Sequence, residues 1–588
     1  LFSRTAKKAQ AKGLRFFDLF FRRLSVRRVL YPFLWYNTFD FIYVRCYGRV
    51  KGRKDVQQDH ESKKLFQGIL ILTLSSVITK ILSAVYRVPF QNIVGDVGFY
   101  IYQQVYPIYG IVIALSSSGF PVAVSKMVAE REAAGENSHR AFLNAVFLTL
   151  GLFSSGLFLA VFFTAGKLAA WMGDPRLSPL IRTVSCSFLL MPVISAIRGV
   201  YQGQGKMVPT ALSQVLEQAV RVAAILLLSF WLVHGGFSLY AAGQGAVAGS
   251  VLGGAVSAAV LVFYLVKGGR QEKAARLLEW KDVKQAARSL FCGGIAVCIS
   301  GLVLVLFQFV DSLHLYALLT DAGWGAEAAK KLKGIYDRGQ PFLQLGTVAA
   351  SSFALNLVPV IALEYKKGRR KSLEKQVQAA LKISTAVGAG AAAGLIGIMP
   401  FANTMLFENS AGTAVLSVFS VSILFSTWIL TLSGILQGMG KVYTPAVAIA
   451  AGVLLKYGLN EIWVPRFGTM GASAATVAAL GFISLILMIK LGKAYFQMLP
   501  ALFFGKLTLS LFAMSACLQL WLRLFAHGLP GRAASVLAAL GGTAIGAAVF
   551  LFCAARLRLL TDEEWGLVPF GTKLAGLKGK NRIGKQKP

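Results

Sequence analysis

The chain has 588 residues, is 56% hydrophobic and 15% charged, and has a mean hydropathy of +0.62. A soluble chain of this length would carry about 25% charged residues, so that class is excluded. The net charge of +36 lies mostly between apolar runs and at the two ends, which argues against a nucleic-acid surface and for positively flanked membrane helices.

Residues 1–64 are basic and aromatic, with no uninterrupted apolar run long enough to cross a bilayer and no signal-peptide pattern. They read as an interfacial arm or as spurious upstream translation, since the chain opens on Leu1 and its first methionine is Met127. Beyond them, runs of roughly 20 apolar residues follow one another, the length a ~30 Å hydrocarbon core requires. They fall at 66–86, 99–122, 141–165, 179–201, 208–233, 239–266 and 288–314. The series continues at 335–363, 379–400, 411–436, 443–460, 469–492, 501–524 and 533–556. The expected fold is an all-α polytopic membrane protein with about fourteen spans.

Loop charges orient these spans. Lys267, Arg270, Lys273, Arg276, Lys281, Lys284 and Arg288 follow the sixth; Lys366, Lys367, Arg369, Arg370, Lys371 and Lys375 follow the eighth. The alternate loops are poorer in Lys and Arg, except for Lys330, Lys331 and Lys333. Even-numbered loops and both termini are therefore expected in the cytoplasm. The six cysteines form no C-x-x-C pair and the five histidines no metal spacing, so neither cofactor nor metal is expected.

The stretch "GVYQGQGKMVPT" at 199–210 imitates a phosphate loop, but its spacing is wrong and Met207 stands where a hydroxyl should hold magnesium. Its meaning lies in repetition. Gln202, Gly203, Gly205 and Lys206 return 235 residues later as Gln437, Gly438, Gly440 and Lys441. Gly98 and Ser116-Ser117 are echoed at Gly334 and Ser351-Ser352 with nearly the same offset. A shift of six spans keeps both halves in one membrane orientation, a parallel repeat. The implied plan is a 65–267 lobe, a basic 268–287 linker, a 288–493 lobe, two further helices over 494–558 and a basic tail over 559–588. Each Q-G-x-G-K stretch is expected to be a tight cytoplasmic hairpin, its glycines supplying positive φ and its lysine snorkelling.

Ionisable groups inside spans face a partner or a watery cavity. Lys80 sits in span 1, either in a cavity or snorkelling, and Arg87 at its outer end reads, taken alone, as an interface anchor. Glu217 and Arg221, four apart in span 5, read as a self-neutralising pair. Asp311, late in span 7, is either a partner to a neighbouring helix or cap, or a functional carboxylate. Asp337 precedes Arg338 at the start of span 8, and either neutralises it in a structural pair or leaves it to a cavity. If spans 1 and 8 line a cleft, Lys80, Arg87 and Arg338 make a cationic pocket suited to pyrophosphate.

"LTLSSVITKILSAVYRVPF", "PIYGIVIALSSSGFPVAVSKMVAE", "IRGVYQGQGKMVPTALSQVLEQAVR" and "IYDRGQPFLQLGTVAASSFALNLVP" resemble the MurJ-type lipid II flippases, in the branch that includes stage V sporulation protein B. The resemblance covers about residues 65–558. It implies a non-enzymatic flippase in the bacterial cytoplasmic membrane, moving an undecaprenyl-pyrophosphate-linked peptidoglycan precursor to the outer leaflet; a monomer working by alternating access is expected and, with no ATP site in the sequence, a drive by an ion or the membrane potential. It further implies a cationic cavity, with the family's arginines falling on Lys80, approximately on Arg87 and on Arg338, and a lipid-tail groove formed with spans 13 and 14. Lys80 replaces an arginine, and the family's span 2 arginine pair has no counterpart here. The rival expectations are an exporter of capsule, exopolysaccharide or spore-cortex repeat units, a cation-coupled drug exporter, and a membrane glycosyltransferase. The short external loops speak against the last.

Overall fold

The computed structural model describes Gly68 and residues 71–134 (apart from 73), 139–267, 280–492, 500–526 and 531–566. The expected N-terminal arm, most of the basic linker and most of the tail lie outside the described residues. Every regular element among the described residues is a helix. In hydrocarbon a spanning segment must satisfy its own backbone groups, and continuous apolar runs do this only as helices.

In chain order the helices are α1 (74–85), α2 (Arg87–Ala114), α3 (Phe120–Ala133), α4 (His139–Trp171), α5 (Ser178–Gly203), α6 (Met207–His234) and α7 (Leu239–Lys267). After the linker come α8 (Trp280–Arg288), α9 (Ile295–Gly301), α10 (Val303–Asp321), α11 (Ala326–Asp337), α12 (Gly339–Lys366) and α13 (Arg370–Phe407). The chain then forms α14 (Thr413–Ser420), α15 (Ser422–Gly438), α16 (Tyr443–Leu491), α17 (Ala501–Ala526), α18 (Arg532–Arg556) and the short α19 (Asp562–Gly566). Two π-helical turns, Leu115–Gly119 and Ser289–Gly294, join α2 to α3 and α8 to α9.

Eleven segments among the described residues are long and apolar enough to cross a membrane, against the fourteen runs of the sequence. The difference is instructive. Leu74–Ala133 and Tyr443–Leu491 each count once at 60 and 49 residues, although helices of that length would be about 90 and 74 Å long at 1.5 Å per residue. Both contain a glycine in a conformation that breaks the helix, Gly95 at φ 69° and Gly468 at φ 58°, where only a residue without Cβ turns cheaply. In α16 the arms fold onto each other: a Cβ at Gly452 would strike Ile483. The expected eighth run lies over α11 and α12.

Packing follows chain order. Helices α2, α3, α5, α6 and α7 pack among themselves with α4 against α5, as do α10 and α12–α16, while α17 and α18 lie together on α13. Small residues permit the close approaches that bilayer helices rely on. Gly245, Gly249 and Gly253, spaced four apart on α7, seat against Leu232, the Ile225 amide and the Glu217 carbonyl of α6. The polarity is inside-out. Trp231, Phe163 and Phe512 are exposed, whereas Arg198, Arg221, Arg338 and Lys456 are at most 1% exposed. The chain is a multi-pass membrane protein.

Candidate functional site

Four buried polar clusters follow from the side chains that these helices turn inward. The first belongs to α2 and α6. Tyr102, Tyr106 and Tyr109 recur on one face of α2, and Tyr86 sits at the break between α1 and α2. The Arg87 guanidinium lies over the Tyr106 ring, 4.5 Å from its centre, and none of its three nitrogens has a hydrogen-bond partner. Arg221 faces the same ring at 5.8 Å and those of Tyr109 at 4.8 Å and Tyr86 at 5.2 Å. It donates to the Tyr86 hydroxyl at 3.0 Å and to Gln218 at 3.2 Å, and Tyr86 is linked at 2.9 Å to Tyr102. Two buried guanidiniums thus share an aromatic wall and have no carboxylate partner among the described residues. Cation–π contact offsets only part of the cost of desolvating them.

The second cluster corrects the expected Glu217–Arg221 pair. Glu217 bonds instead to Arg198 of α5 at 2.8 Å. Ser213, Ser257 and Ser117 supply Arg198's remaining acceptors at 3.0, 2.8 and 2.9 Å. A partner nineteen residues away displaces the i, i+4 neighbour because three further hydroxyls complete the fork there.

The third cluster joins α2 to the later helices. Arg338 donates from Nε to Asp96 at 3.1 Å and from Nη1 to Asn403 and Asn409 at 3.2 and 2.8 Å, with a second bond from Nη2 to Asp96. Gln91 also donates to Asp96 at 2.8 Å. Gly334 is pressed against the Asp96 carbonyl so closely that a Cβ would collide with it. Of the two readings of Asp337, the structural pair with Arg338 is not made; Asp337 binds Lys333, one turn back on α11, at 2.7 Å.

The fourth cluster surrounds Asp311 of α10. It accepts from Lys456 at 2.6 Å, Tyr336 at 2.8 Å and Asn460 at 3.0 Å, while Lys456 also reaches the Phe307 carbonyl at 3.1 Å. Of the alternatives open for Asp311, the interhelical partner is the one seen.

Lys80, seven residues before Arg87, has an exposed side chain, and Arg87 shares its aromatic wall with Arg221. The repeated Q-G-x-G-K stretches take one geometry twice. Gly205 (φ 71°) donates to Gln202 and Lys206 to Tyr201, at 3.0 and 2.8 Å; Gly440 (φ 81°) donates to Gln437 and Lys441 to Leu436, at 2.9 and 2.8 Å. Both are Schellman caps. Only the second glycine of each stretch takes positive φ. The first serves packing: a Cβ at Gly203 would lie 2.7 Å from Val128, and one at Gly438 2.9 Å from Ile361. Lys206 and Lys441 are exposed.

Sequence reading missed Arg198, Asp96, Lys333, Lys456 and the tyrosines. Arg198 and Lys456 carried a signal, a lone cation inside an apolar run. The tyrosines did too, at i, i+4 and i+7 on one face.

The profile of polysaccharide biosynthesis proteins matches residues 65–363. An uncharacterized membrane protein of Bacillus subtilis (strain 168), YabM, is 45% identical over 87% of this chain and 96% of its own length. The lipid II flippase MurJ of the same organism is 28% identical over 89% and 99%. Its stage V sporulation protein B is 27% identical over 71% and 82%. Among solved structures, a lipid II flippase MurJ in an inward closed conformation superposes with a TM-score of 0.63 at 16% identity, covering 83% of this chain and 98% of that one. An inward-facing multidrug resistance transporter gives 0.57 at 16% identity, covering 74% and 100%.

Proposed function

This chain belongs to the polysaccharide biosynthesis protein family, and on that premise we propose that it is a flippase carrying a lipid-linked cell-wall precursor across the cytoplasmic membrane. One relative similar along nearly its whole length is named a lipid II flippase, and the chain is a transporter rather than an enzyme. The finer reading is that the cargo is an undecaprenyl-pyrophosphate-linked peptidoglycan unit, lipid II. Similarity along nearly the whole length of the lipid II flippase supports this. The observation that carries it is Arg87, fully buried with all three nitrogens lacking a protein partner. A guanidinium so placed suits an incoming phosphate, which accepts from its fork.

In this reading the chain crosses fourteen times, as two like-oriented lobes of six helices and a terminal pair, with both termini cytoplasmic. Arg87 meets the headgroup phosphates, Lys80 stands nearer the rim, and Arg338 ties the lobes together through Asp96. Rocking of the lobes then exposes the headgroup on the other side while the polyprenyl chain stays in lipid. Substrate must favour the states between the open forms for anything to move. A membrane potential contributes about 2.3 kcal/mol per charge moved per 100 mV. A cation-coupled drug exporter would need an unpaired membrane carboxylate, and Asp96, Glu217, Asp311 and Asp337 each hold a cation.

The test is flipping by the purified chain in vesicles carrying fluorescent lipid II, read by reductive quenching from one side. The wild type speeds exposure of the label, and Arg87→Gln slows it at least tenfold while remaining monodisperse in detergent. Unchanged flipping in that variant overturns the assignment. A wild type that ignores lipid II but moves another polyprenyl-diphosphate-linked glycan shifts the cargo to a different repeat unit. The tyrosine face of α2, where the resembling family has arginines, is the feature that favours this second reading.

A further inference from the structure

Building on the flippase reading, we propose that Arg221 and Arg87 form one diphosphate-binding site, and that Arg198 creates it by drawing Glu217 away from Arg221. The two guanidiniums lie on one tyrosine ring, at 4.5 and 5.8 Å from its centre, and so are at most about 10 Å apart. A diphosphate has two phosphoryl groups, one for each fork. The polar atoms left over point to an acceptor: the three nitrogens of Arg87, Nε of Arg221 and the hydroxyl of Tyr109 all lack a protein partner.

The repeat supplies an internal control. Arg221 lies 235 residues before Lys456, the same offset that relates the two Q-G-x-G-K stretches. Lys456 has its own counter-ion, Asp311, at 2.6 Å. The positions 235 and 236 residues before Asp311 are Ser76 and Ser75. The second half of the molecule therefore neutralises this cation internally, and the first half leaves the charge to be met by something else. Glu217, one turn before Arg221, would serve, but Arg198 holds it, itself fixed by donating to three serine hydroxyls. Gly253 fixes the arrangement from the other side, since a Cβ there would lie 2.8 Å from Cβ of Arg221.

The tyrosines complete the chemistry. They form a low-dielectric wall in which the attraction between guanidinium and phosphate is far stronger than in water, and they present no carboxylate to repel an anion. The cluster is buried in the conformation described, and Tyr86, bonded to Arg221, sits at the break between α1 and α2. Arg221 and Arg87 are binding residues in this scheme; Arg198 is a positioning residue.

The experiment measures binding of undecaprenyl diphosphate, undecaprenyl monophosphate and inorganic pyrophosphate to the full chain in nanodiscs, by native mass spectrometry and thermal shift. Arg221→Gln is expected to weaken the diphosphate lipid at least tenfold and to reduce its preference over the monophosphate. Arg221→Lys, which keeps charge and loses the fork, gives an intermediate loss. Tyr109→Phe, which preserves packing, weakens the lipid severalfold. Arg198→Gln weakens it as Glu217 turns to Arg221, and adding Glu217→Gln restores it, a rescue that a merely structural role would not produce. Wild-type binding that survives Arg221→Gln and Tyr109→Phe overturns this site and leaves the flippase reading standing. Arg221-dependent binding of pyrophosphate without the lipid sustains the site and removes the lipid cargo; a wild type that binds none of the three removes both.

Discussion

Four buried cations of this chain occupy different electrostatic settings, and each setting predicts a different mutational outcome. Lys456 is neutralised by Asp311 and held by the Phe307 carbonyl. Lys456→Met alone leaves Asp311 without its cation and should cost about 3–5 kcal/mol, whereas a well-packed apolar replacement of both partners should recover most of that. Thermal denaturation of Lys456→Met and of Lys456→Met with Asp311→Leu, followed by loss of monodisperse protein, checks this. Arg338 has a carboxylate and two carboxamides, Arg198 a carboxylate and three hydroxyls, and Arg221 only neutral groups. At this scale the sequence was least legible. It listed Glu217, Arg221, Asp311, Asp337 and Arg338 as charges inside spans, but it paired those near one another in the chain. Neither of the two pairs it named is made: Glu217 turns to Arg198 and Arg338 to Asp96, each on another helix, while Asp337 turns to Lys333, one turn back. Helical spacing describes only one helix.

Elements were far more legible, since apolar run length is a property of the chain alone. The runs expected over the described residues lie mostly on helix, but those at 288–314 and 411–436 are broken inside, at Leu302 and Val421. The repeated Q-G-x-G-K stretches were recognised as turns, yet the split of labour between their glycines was not, because close packing against Val128 or Ile361 is invisible before the helices meet. That split is measurable. Gly205→Ala puts a Cβ into the left-handed region, at about 1 kcal/mol. Gly203→Ala forces a side chain against Val128 and the Ser125 carbonyl, at about 1–3 kcal/mol for overpacking. Melting curves in detergent should therefore rank Gly203→Ala below Gly205→Ala, and the same order should hold for Gly438→Ala against Gly440→Ala.

For the molecule as a whole, early and late helices pack along α2, α10 and α11, and three hydrogen-bonded contacts mark that seam. Asp96 binds Arg338, Gln104 donates to the Ser312 carbonyl at 3.1 Å, and the Ser312 hydroxyl donates to the Gln103 carbonyl at 3.4 Å. If the two groups of helices rock apart, this seam must open. Asp96→Asn removes the Asp96–Arg338 pair and should raise the labelling rate of a cysteine placed at Ser312 severalfold, in a chain cleared of its other cysteines. An unchanged rate would mean that the seam stays shut when its ion pair is lost.

The two π-helical turns lie against each other across the same boundary. Gly119 ends one and Gly294 the other, and their backbones touch: a Cβ on Gly119 would sit 3.5 Å from the Gly294 carbonyl. A π turn holds one residue more than its ladder needs, and that surplus can pass along the helix by exchanging one backbone acceptor for the next. Two such slack points at one height turn a pair of stiff rods into a matched joint. A bend on one side has a ready answer on the other, and neither rod has to fracture for the molecule to change its curvature.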